Sequence, residues 1–184
     1  MKATEILMDE HRVIERVLDA LAVAADRLAR GDPIDATFFL DAAEFIRGFA
    51  DGCHHHKEEG VLFPAMHAAG MPTHGGPIGV MLAEHEEARA LTRALREGAQ
   101  RMASGDRAAV AQVVNAAREY VRLLRAHIQK EDQILFPMAD QAIPASQHAR
   151  VEQEFDRVER EESGADAHTK YHALAERLER VVRH

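Results

Sequence analysis

Histidine and glutamate recur in this chain at a spacing that suits metal binding. His54 is followed four residues later by Glu58, and His127 is followed at the same distance by Glu131. Residues four apart lie on one face of an α-helix, about 40° apart in rotation and about 6 Å along the axis, so both side chains can reach one ion. A neutral imidazole and a carboxylate suit iron, manganese and zinc. Because neither pair is accompanied by a thiolate, the pattern argues against an iron–sulfur cluster or a cysteine-based zinc site.

These two pairs belong to an internal repeat with an interval of about 73 residues. HHHKEEGVLFPAM surrounds the first pair and HIQKEDQILFPMA the second, so His-x-x-Lys-Glu-acid-x-β-branched-Leu-Phe-Pro occurs twice. Upstream, MDEHRVIERVL around His11 has a looser counterpart in LAEHEEARALTRAL around His85. The repeat predicts two similar halves, each with one lone histidine and one His-x-x-x-Glu pair.

Long helices must position these residues. Apolar residues recur at intervals of three and four, while glycine and proline gather in a few breaks. The pattern predicts four helices, at about 3–28, 35–67, 77–102 and over about thirty residues ending near Ala139, followed by two charged helices at 146–162 and 166–184. We therefore predict an all-α fold, an up-down-up-down four-helix bundle over residues 1–141 with a helical C-terminal extension at 142–184 packing on it.

The heights of the histidines along these helices agree. His11 lies about 17 residues before the end of its helix and His54 about 19 after the start of the next, a difference of roughly 3 Å at 1.5 Å per residue. His85 and His127 match equally well, so all four histidines are expected in one layer. Together with Glu58 and Glu131 they supply six ligands, enough for two metals that share bridging carboxylates.

Residues next to the pairs leave alternatives open. On an α-helix His55 and His56 point about 100° and 200° away from His54, which predicts positions in solvent or around the ligands. A shifted register with His55 and Glu59 as ligands stays possible. Glu59 and Asp132 are interpreted as surface acids or as acids that orient ligand imidazoles.

Other polar residues receive simpler interpretations. Glu15, four residues after His11, could supply a further carboxylate. Lys57 and Lys130 are expected to form surface pairs. Cys53 is interpreted as a buried small residue or a redox-sensitive thiol, and Tyr120 is expected to pack in the core with its hydroxyl at a polar rim.

Composition limits the function classes. The 184 residues carry 31 acidic against 23 basic side chains, a formal charge of -8, which disfavours nucleic acid as a partner. No apolar stretch approaches the roughly 18 residues that a membrane span requires. One cysteine and the start MKATEILMDEHRV, which lacks the apolar run of a signal peptide, predict a cytoplasmic protein.

Over roughly residues 5–140 the chain resembles the hemerythrin-like (HHE cation-binding) domains. The likeness rests on Asp-Glu-His11, Ala-Glu-His85, the two His-x-x-Lys-Glu-x-x-x-Leu-Phe-Pro segments and the Gly-Gly-Pro-Ile-Gly-Val-Met-Leu lead into the third helix. It implies a four-helix bundle with two iron ions in an oxo- or carboxylate-bridged centre, bridged by the two glutamates. The implied ligands are His11, His54, Glu58, His85, His127 and Glu131.

Two departures from the oxygen-carrying members shape the functional prediction. Arg89 stands where those proteins place a second histidine on the third helix, and the acid four residues after His127 is Glu131, with Asp132 at five. The set looks more like the bacterial hemerythrin-like branch. That resemblance implies a protein that binds, senses or detoxifies dioxygen, nitric oxide or peroxide. The alternatives are an iron donor for repair of iron–sulfur clusters, a peroxide-decomposing or nitric-oxide-reducing enzyme, and a zinc-dependent hydrolase.

Overall fold

The computed structural model describes residues 2–164 and 166–183, and these contain helices and turns but no strand. The predicted all-helical class is thereby confirmed for the described residues. The α-helices are α1 (Ala3–Ala29), α2 (Ala36–Phe45), α3 (Phe63–Ala68), α4 (Gly76–Ala103), α5 (Ala109–Lys130), α6 (Phe136–Ala142), α7 (His148–Val158) and α8 (Ala167–Val182). The π-helices are π1 (Ile46–His55), π2 (Glu58–Leu62), π3 (Glu131–Leu135) and π4 (Glu159–Ser163), and a 3₁₀ turn covers Ala145–Gln147.

The π-helices are inserted into longer helices without a break. Residues 36–68 form one continuous helix through α2, π1, π2 and α3, and 109–142 form another through α5, π3 and α6. In both repeats the phenylalanine of Leu-Phe-Pro donates its backbone N–H to the carbonyl five residues earlier, Phe63 to Glu58 and Phe136 to Glu131. A proline follows each, and its ring would clash with the carbonyl four residues earlier in a regular α-helix. The wider turn accommodates the proline, so the helix continues.

The long helices pack side by side. α1 packs on α5, α5 on α4, and α4 on α2 and π1. Asp35 starts the second helix by accepting a hydrogen bond from the Thr37 backbone N–H at 2.7 Å, which satisfies one of the free donors of the first turn.

The C-terminal helices pack mainly on the first half of the repeat. α8 lies against α1 and α2, α7 against α1 and π2, and π4 against π1. The division of the chain into units at 1–141 and 142–184 stays a prediction. None of the helices in the described part of the chain combines the length and the apolar character needed to cross a membrane.

Two apolar clusters make up the core, one on either side of the predicted histidine layer. Along α1, Leu7 belongs to one cluster and Ile14 to the other. Along α5 and π3, Leu124 and Leu135 divide in the same way. His11 and His127 therefore lie in a polar layer enclosed above and below by packed hydrocarbon.

Candidate metal centre

The structure brings the six predicted ligands together in this polar layer. Each is at most 2% exposed, so none has appreciable access to bulk water. The helices contribute as the repeat predicts: α1 and α4 each carry a lone histidine, and a His-x-x-x-Glu pair spans the start of π2 and of π3. The six are His11, His54, Glu58, His85, His127 and Glu131.

Each glutamate faces histidines on both sides of the layer. The Glu58 carboxylate has Oε1 3.4 Å from Nε2 of His54 and Oε2 3.2 Å from Nε2 of His85. The Glu131 carboxylate has Oε1 3.2 Å from Nε2 of His127 and Oε2 3.1 Å from Nε2 of His11. The histidines form two pairs, with ring centroids 4.5 Å apart in one and 4.8 Å apart in the other. Each carboxylate therefore spans both pairs.

Most of the atoms that face one another here lack hydrogen bonds, although Nε2 of His85 and Nε2 of His127 are 3.1 Å apart and form one with each other. Nε2 of His11 and of His54 and all four carboxylate oxygens of Glu58 and Glu131 are buried without a hydrogen-bond partner in the described chain. Their mutual approaches of 3.1–3.4 Å are close but poorly directed for hydrogen bonding. Buried polar atoms are normally satisfied, and convergent unsatisfied nitrogen and oxygen atoms are the donor set of a borderline metal. The residues present thus fit a metal centre.

The second ring nitrogen, Nδ1, of each of the four predicted ligand histidines lies within hydrogen-bond distance of a carboxylate. Such contacts fix the ring orientation and favour a proton on Nδ1, so that Nε2 can bind a cation. The Nδ1-to-oxygen distances are 2.7 Å for His11 and Asp132, 2.9 Å for His54 and Glu10, 2.7 Å for His85 and Glu59, and 2.8 Å for His127 and Glu84.

These orienting contacts follow the repeat, and those of the two lone histidines join its two halves. The lone histidine His11 uses Asp132 of the second half, and the lone His85 uses Glu59 of the first. The orienting role considered for both acids agrees with this geometry. Glu10 and Glu84 were missed by sequence reasoning, although a signal existed, because a glutamate directly precedes the lone histidine in both repeats.

The phenylalanine of each Leu-Phe-Pro segment contacts the lone histidine of the other half. Phe136 stacks on the ring of His11 at 5.4 Å, and Phe63 stacks on the ring of His85 at 6.1 Å. The repeated phenylalanine thus covers one face of the other half's lone histidine and separates it from solvent.

His55 lies around the ligands and not in solvent, which is one of the two positions predicted for it. It is 2% exposed, and its ring stacks on His85 at 3.9 Å. With Glu58, His85 and His127 it forms a group whose potential ligand atoms lie within 4.8 Å of one another. The expectation assumed an α-helical rotation of about 100° per residue, whereas the wider turns of π1 rotate each residue by less. Consecutive histidines can then face the same interior.

The shifted register is not adopted as a replacement, because His54 and Glu58 also face the layer. The Nε2 atom of His55 lacks a hydrogen bond in the described chain, and its Nδ1 atom is 3.4 Å from Oδ1 of Asp51. Burial lowers the pKa of His55, and the neighbouring His85 lowers it further, so His55 is neutral near pH 7. His56 is exposed, in agreement with its predicted position.

The surface position expected for Lys57 is wrong. Lys57 is 1% exposed, and its ammonium group donates to Glu10 Oε1 at 2.5 Å and to Glu159 Oε2 at 3.0 Å. Glu159 belongs to π4, so the C-terminal helices are what bury this lysine. Lys130 agrees with the expectation, since its side chain is 39% exposed and pairs with Glu84.

The remaining polar candidates lie outside the layer or at its edge. Glu15 pairs with Arg12, and Arg89 pairs with Asp51, Glu59 and Glu86. Cys53 is buried. Tyr120 is fully buried rather than at a polar rim, and its hydroxyl has no hydrogen-bond partner in the described chain.

Charges in the layer are strongly coupled. Burial lowers the pKa of His54, but the carboxylates of Glu58 and Glu10 outweigh it and raise that pKa to about 10. Burial likewise opposes the Glu131 and Glu84 carboxylates, which raise the pKa of His127 to about 9. Burial raises the pKa of Glu58, whereas His54 and His85 hold it well below its usual value. The buried carboxylates thus require positive charge nearby, and metal cations supply it while displacing protons.

Comparison with known proteins agrees with this geometry. The family model described as "Hemerythrin HHE cation binding domain" matches residues 2–139. The chain belongs to the hemerythrin family of HHE cation-binding domains. The hemerythrin match begins just before α1 and ends within α6, so α7, π4 and α8 lie outside it.

The similar curated proteins are themselves uncharacterized. Relatives of this hemerythrin-family chain from Mycobacterium bovis and from two strains of Mycobacterium tuberculosis are each 27% identical over 162 residues, covering 88% of this chain. The chain spans 63% of the length of these relatives. No solved structure matches the chain significantly.

Proposed function

We propose that this chain binds two iron ions through the six residues of the polar layer and uses them to bind, sense or detoxify a small ligand such as dioxygen, nitric oxide or peroxide. The observation that carries the proposal is the pair of buried carboxylates, Glu58 and Glu131, whose oxygens each face one histidine of either pair and lack hydrogen bonds in the described chain. A carboxylate placed between two histidine pairs suits a bridge between two cations.

The chain's own residues prepare this site. His11 and His54 would hold one ion and His85 and His127 the other, with both glutamates shared. The four carboxylates on Nδ1 orient the imidazoles, and Phe63 and Phe136 limit access of water. Bound iron would supply Lewis acidity and redox chemistry. The choice of iron among the metals that suit this donor set is supported by the family.

We further propose that the four long helical segments form an up-down-up-down bundle. The packing of α1 on α5, α5 on α4, and α4 on α2 supports this arrangement, because each contact joins helices that are neighbours in a ring of four. Contacts between α1 and α2 and between α1 and π1 support closure of this ring.

The test is metal content by elemental analysis of protein purified without added metal. We expect about two irons per chain, as in other bundle-held carboxylate centres, and near-ultraviolet absorption that shifts with nitric oxide or peroxide. A His54→Ala, His127→Ala double variant should lose the iron. A matched double variant of exposed histidines, His67→Ala with His74→Ala, should keep it. Iron retained in the first variant, or lost equally from both, would refute the assignment.

The same preparation separates the functional alternatives. Reversible spectral change without consumption of the ligand supports binding or sensing. Consumption of peroxide or nitric oxide above that by free iron supports an enzyme. Rapid transfer of iron to an acceptor protein that lacks its cluster supports a donor, and iron that resists a strong chelator argues against one.

A further inference from the structure

A cavity of about 240 Å³ lies beside the polar layer, between the helix of residues 36–68 and α4. Its inner end is formed by His55 and Tyr120, which are 2% and 0% exposed. Its outer end carries Arg47, Arg93 and Arg96, all exposed at the surface. The cavity is thus a pocket that runs from solvent to the ring stacked on His85.

The charge of the pocket is opposite to that of the chain. Four arginines and one carboxylate, Asp51, line it, whereas the whole chain has a formal charge of -8. Asp51 is already paired with Arg89 at 2.9 Å, and Arg47 is paired with Glu44. Arg93 and Arg96 make no hydrogen bond or ion pair within the described residues. Two uncompensated guanidinium groups therefore stand at the pocket entrance, where they attract anions.

The inner end of the pocket also lacks partners for its polar atoms. The Tyr120 hydroxyl and the Nε2 atom of His55 are both buried without a hydrogen bond in the described chain. Burial raises the pKa of Tyr120, so its hydroxyl keeps its proton and can donate. A buried hydroxyl usually finds a partner, and here a molecule in the pocket could supply an accepting oxygen. Ala43, Ile46 and Ala88 form apolar walls between the two ends.

We propose that this pocket binds a small organic carboxylate with an apolar body and an oxygen function at its far end. Arg93 and Arg96 bind the carboxylate, the alanine and isoleucine walls contact the body, and the Tyr120 hydroxyl donates to the far oxygen. The volume lies below the roughly 300–1,000 Å³ of drug-sized sites, which restricts the occupant to molecules smaller than a typical drug. The occupant contacts His55 and so lies one ring away from His85.

This inference does not depend on the iron assignment, because Arg93, Arg96 and Tyr120 are not among the six proposed ligands. The two proposals can therefore fail separately. Metal content tests one, and binding of a carboxylate to the protein as purified tests the other.

The experiment is calorimetric titration with 4-hydroxybenzoate and, as a neutral analogue of the same shape, 4-hydroxybenzamide. We expect 4-hydroxybenzoate to bind in the millimolar range or tighter, with affinity that falls as salt is added, and the amide to bind at least about tenfold more weakly. An Arg93→Gln, Arg96→Gln double variant should lose about tenfold in affinity, and Tyr120→Phe several-fold. Metal content should stay unchanged in the arginine variant.

The matched control removes two other exposed arginines, Arg107→Gln with Arg150→Gln, which likewise make no ion pair within the described residues and do not line this pocket. It lowers the net charge by the same amount and should bind 4-hydroxybenzoate as the unmodified chain does. Absence of binding, equal binding of the amide, or equal weakening in both double variants would overturn the proposal.

Discussion

The lysine of each repeat occupies a different environment in the two halves of the molecule. Lys57 is 1% exposed and lies between Glu10 and Glu159, whereas the equivalent Lys130 is 39% exposed and pairs with Glu84. Both lysines hold the carboxylate that orients a histidine of the metal centre. The difference arises because π4 of the C-terminal segment packs on the first half. The ion pair of Lys57 is therefore buried, whereas that of Lys130 is partly exposed to solvent.

A second difference concerns the residues that do not follow the repeat. The first half has His55 and Asp51 where the second half has Ile128 and Leu124. The second half has Arg89 where the first half has Glu15. The arginine-lined pocket consequently occurs beside one histidine pair, with an isoleucine in place of His55 on the other side. The comparison teaches that the repeat accounts for the six inward residues, while the C-terminal helices and the positions that depart from the repeat make their surroundings unequal.

The largest expected effect is a loss of metal on removal of either carboxylate that faces both histidine pairs. Glu58→Ala and Glu131→Ala should each remove most of both ions, because each carboxylate faces both histidine pairs. Elemental analysis of the purified variants measures this. An exposed control, Glu119→Ala, should retain the metal. Loss of one ion from one variant, with the other ion kept, would show that the carboxylates do not bridge and that the halves bind metal independently.

The next effect concerns the two lysines. Lys57→Met removes the ammonium group from the buried Glu10 carboxylate, which keeps its contact with His54, and should lower the free energy of unfolding by about 3 kcal/mol. Lys130→Met removes a partly exposed pair and should cost about 1 kcal/mol or less. Urea unfolding of both variants, at matched metal content, measures the difference. Equal losses would mean that docking of the C-terminal helices does not distinguish the halves in solution.

The smallest effect comes from the residue that creates this asymmetry. Glu159→Gln removes the charge of the second carboxylate that faces Lys57 while leaving Glu10 in place, so the free energy of unfolding should fall by less than about 1 kcal/mol, given that Glu159 is one third exposed. Glu161→Gln, in the same π-helix but exposed, is the control and should have no effect. A loss as large as that of Lys57→Met would assign the stabilisation to Glu159 instead of Glu10.

The residues of the polar layer could be predicted from the sequence because their positions depend on local geometry. A four-residue spacing fixes a shared helix face, and equal distances from a loop fix a shared height, so His54, Glu58, His127 and Glu131 could be placed together without knowledge of tertiary contacts. His11 and His85 followed from the repeat. The all-helical class followed from periodicity.

The residues that were misjudged depend on features outside that geometry. His55 lies closer to the polar layer than an α-helical rotation predicts, because a π-helix changes the rotation per residue. The repeated proline six residues after Glu58 and Glu131 was the available signal for a widened turn near the pairs, although π1 lies upstream of it. Lys57 was misjudged because its burial requires π4, more than a hundred residues later in the chain. A contact of that range leaves no periodic trace in the sequence.

The crossed contacts of the lone histidines have a consequence for the symmetry of the molecule. Since Asp132 orients His11 and Glu59 orients His85, neither half contains every group that its own histidines require. A single half could complete the set only by pairing with a copy of itself around a twofold axis. The hemerythrin region of this chain is thus arranged like two subunits of a dimer joined into one polypeptide, in which the two halves need not be identical.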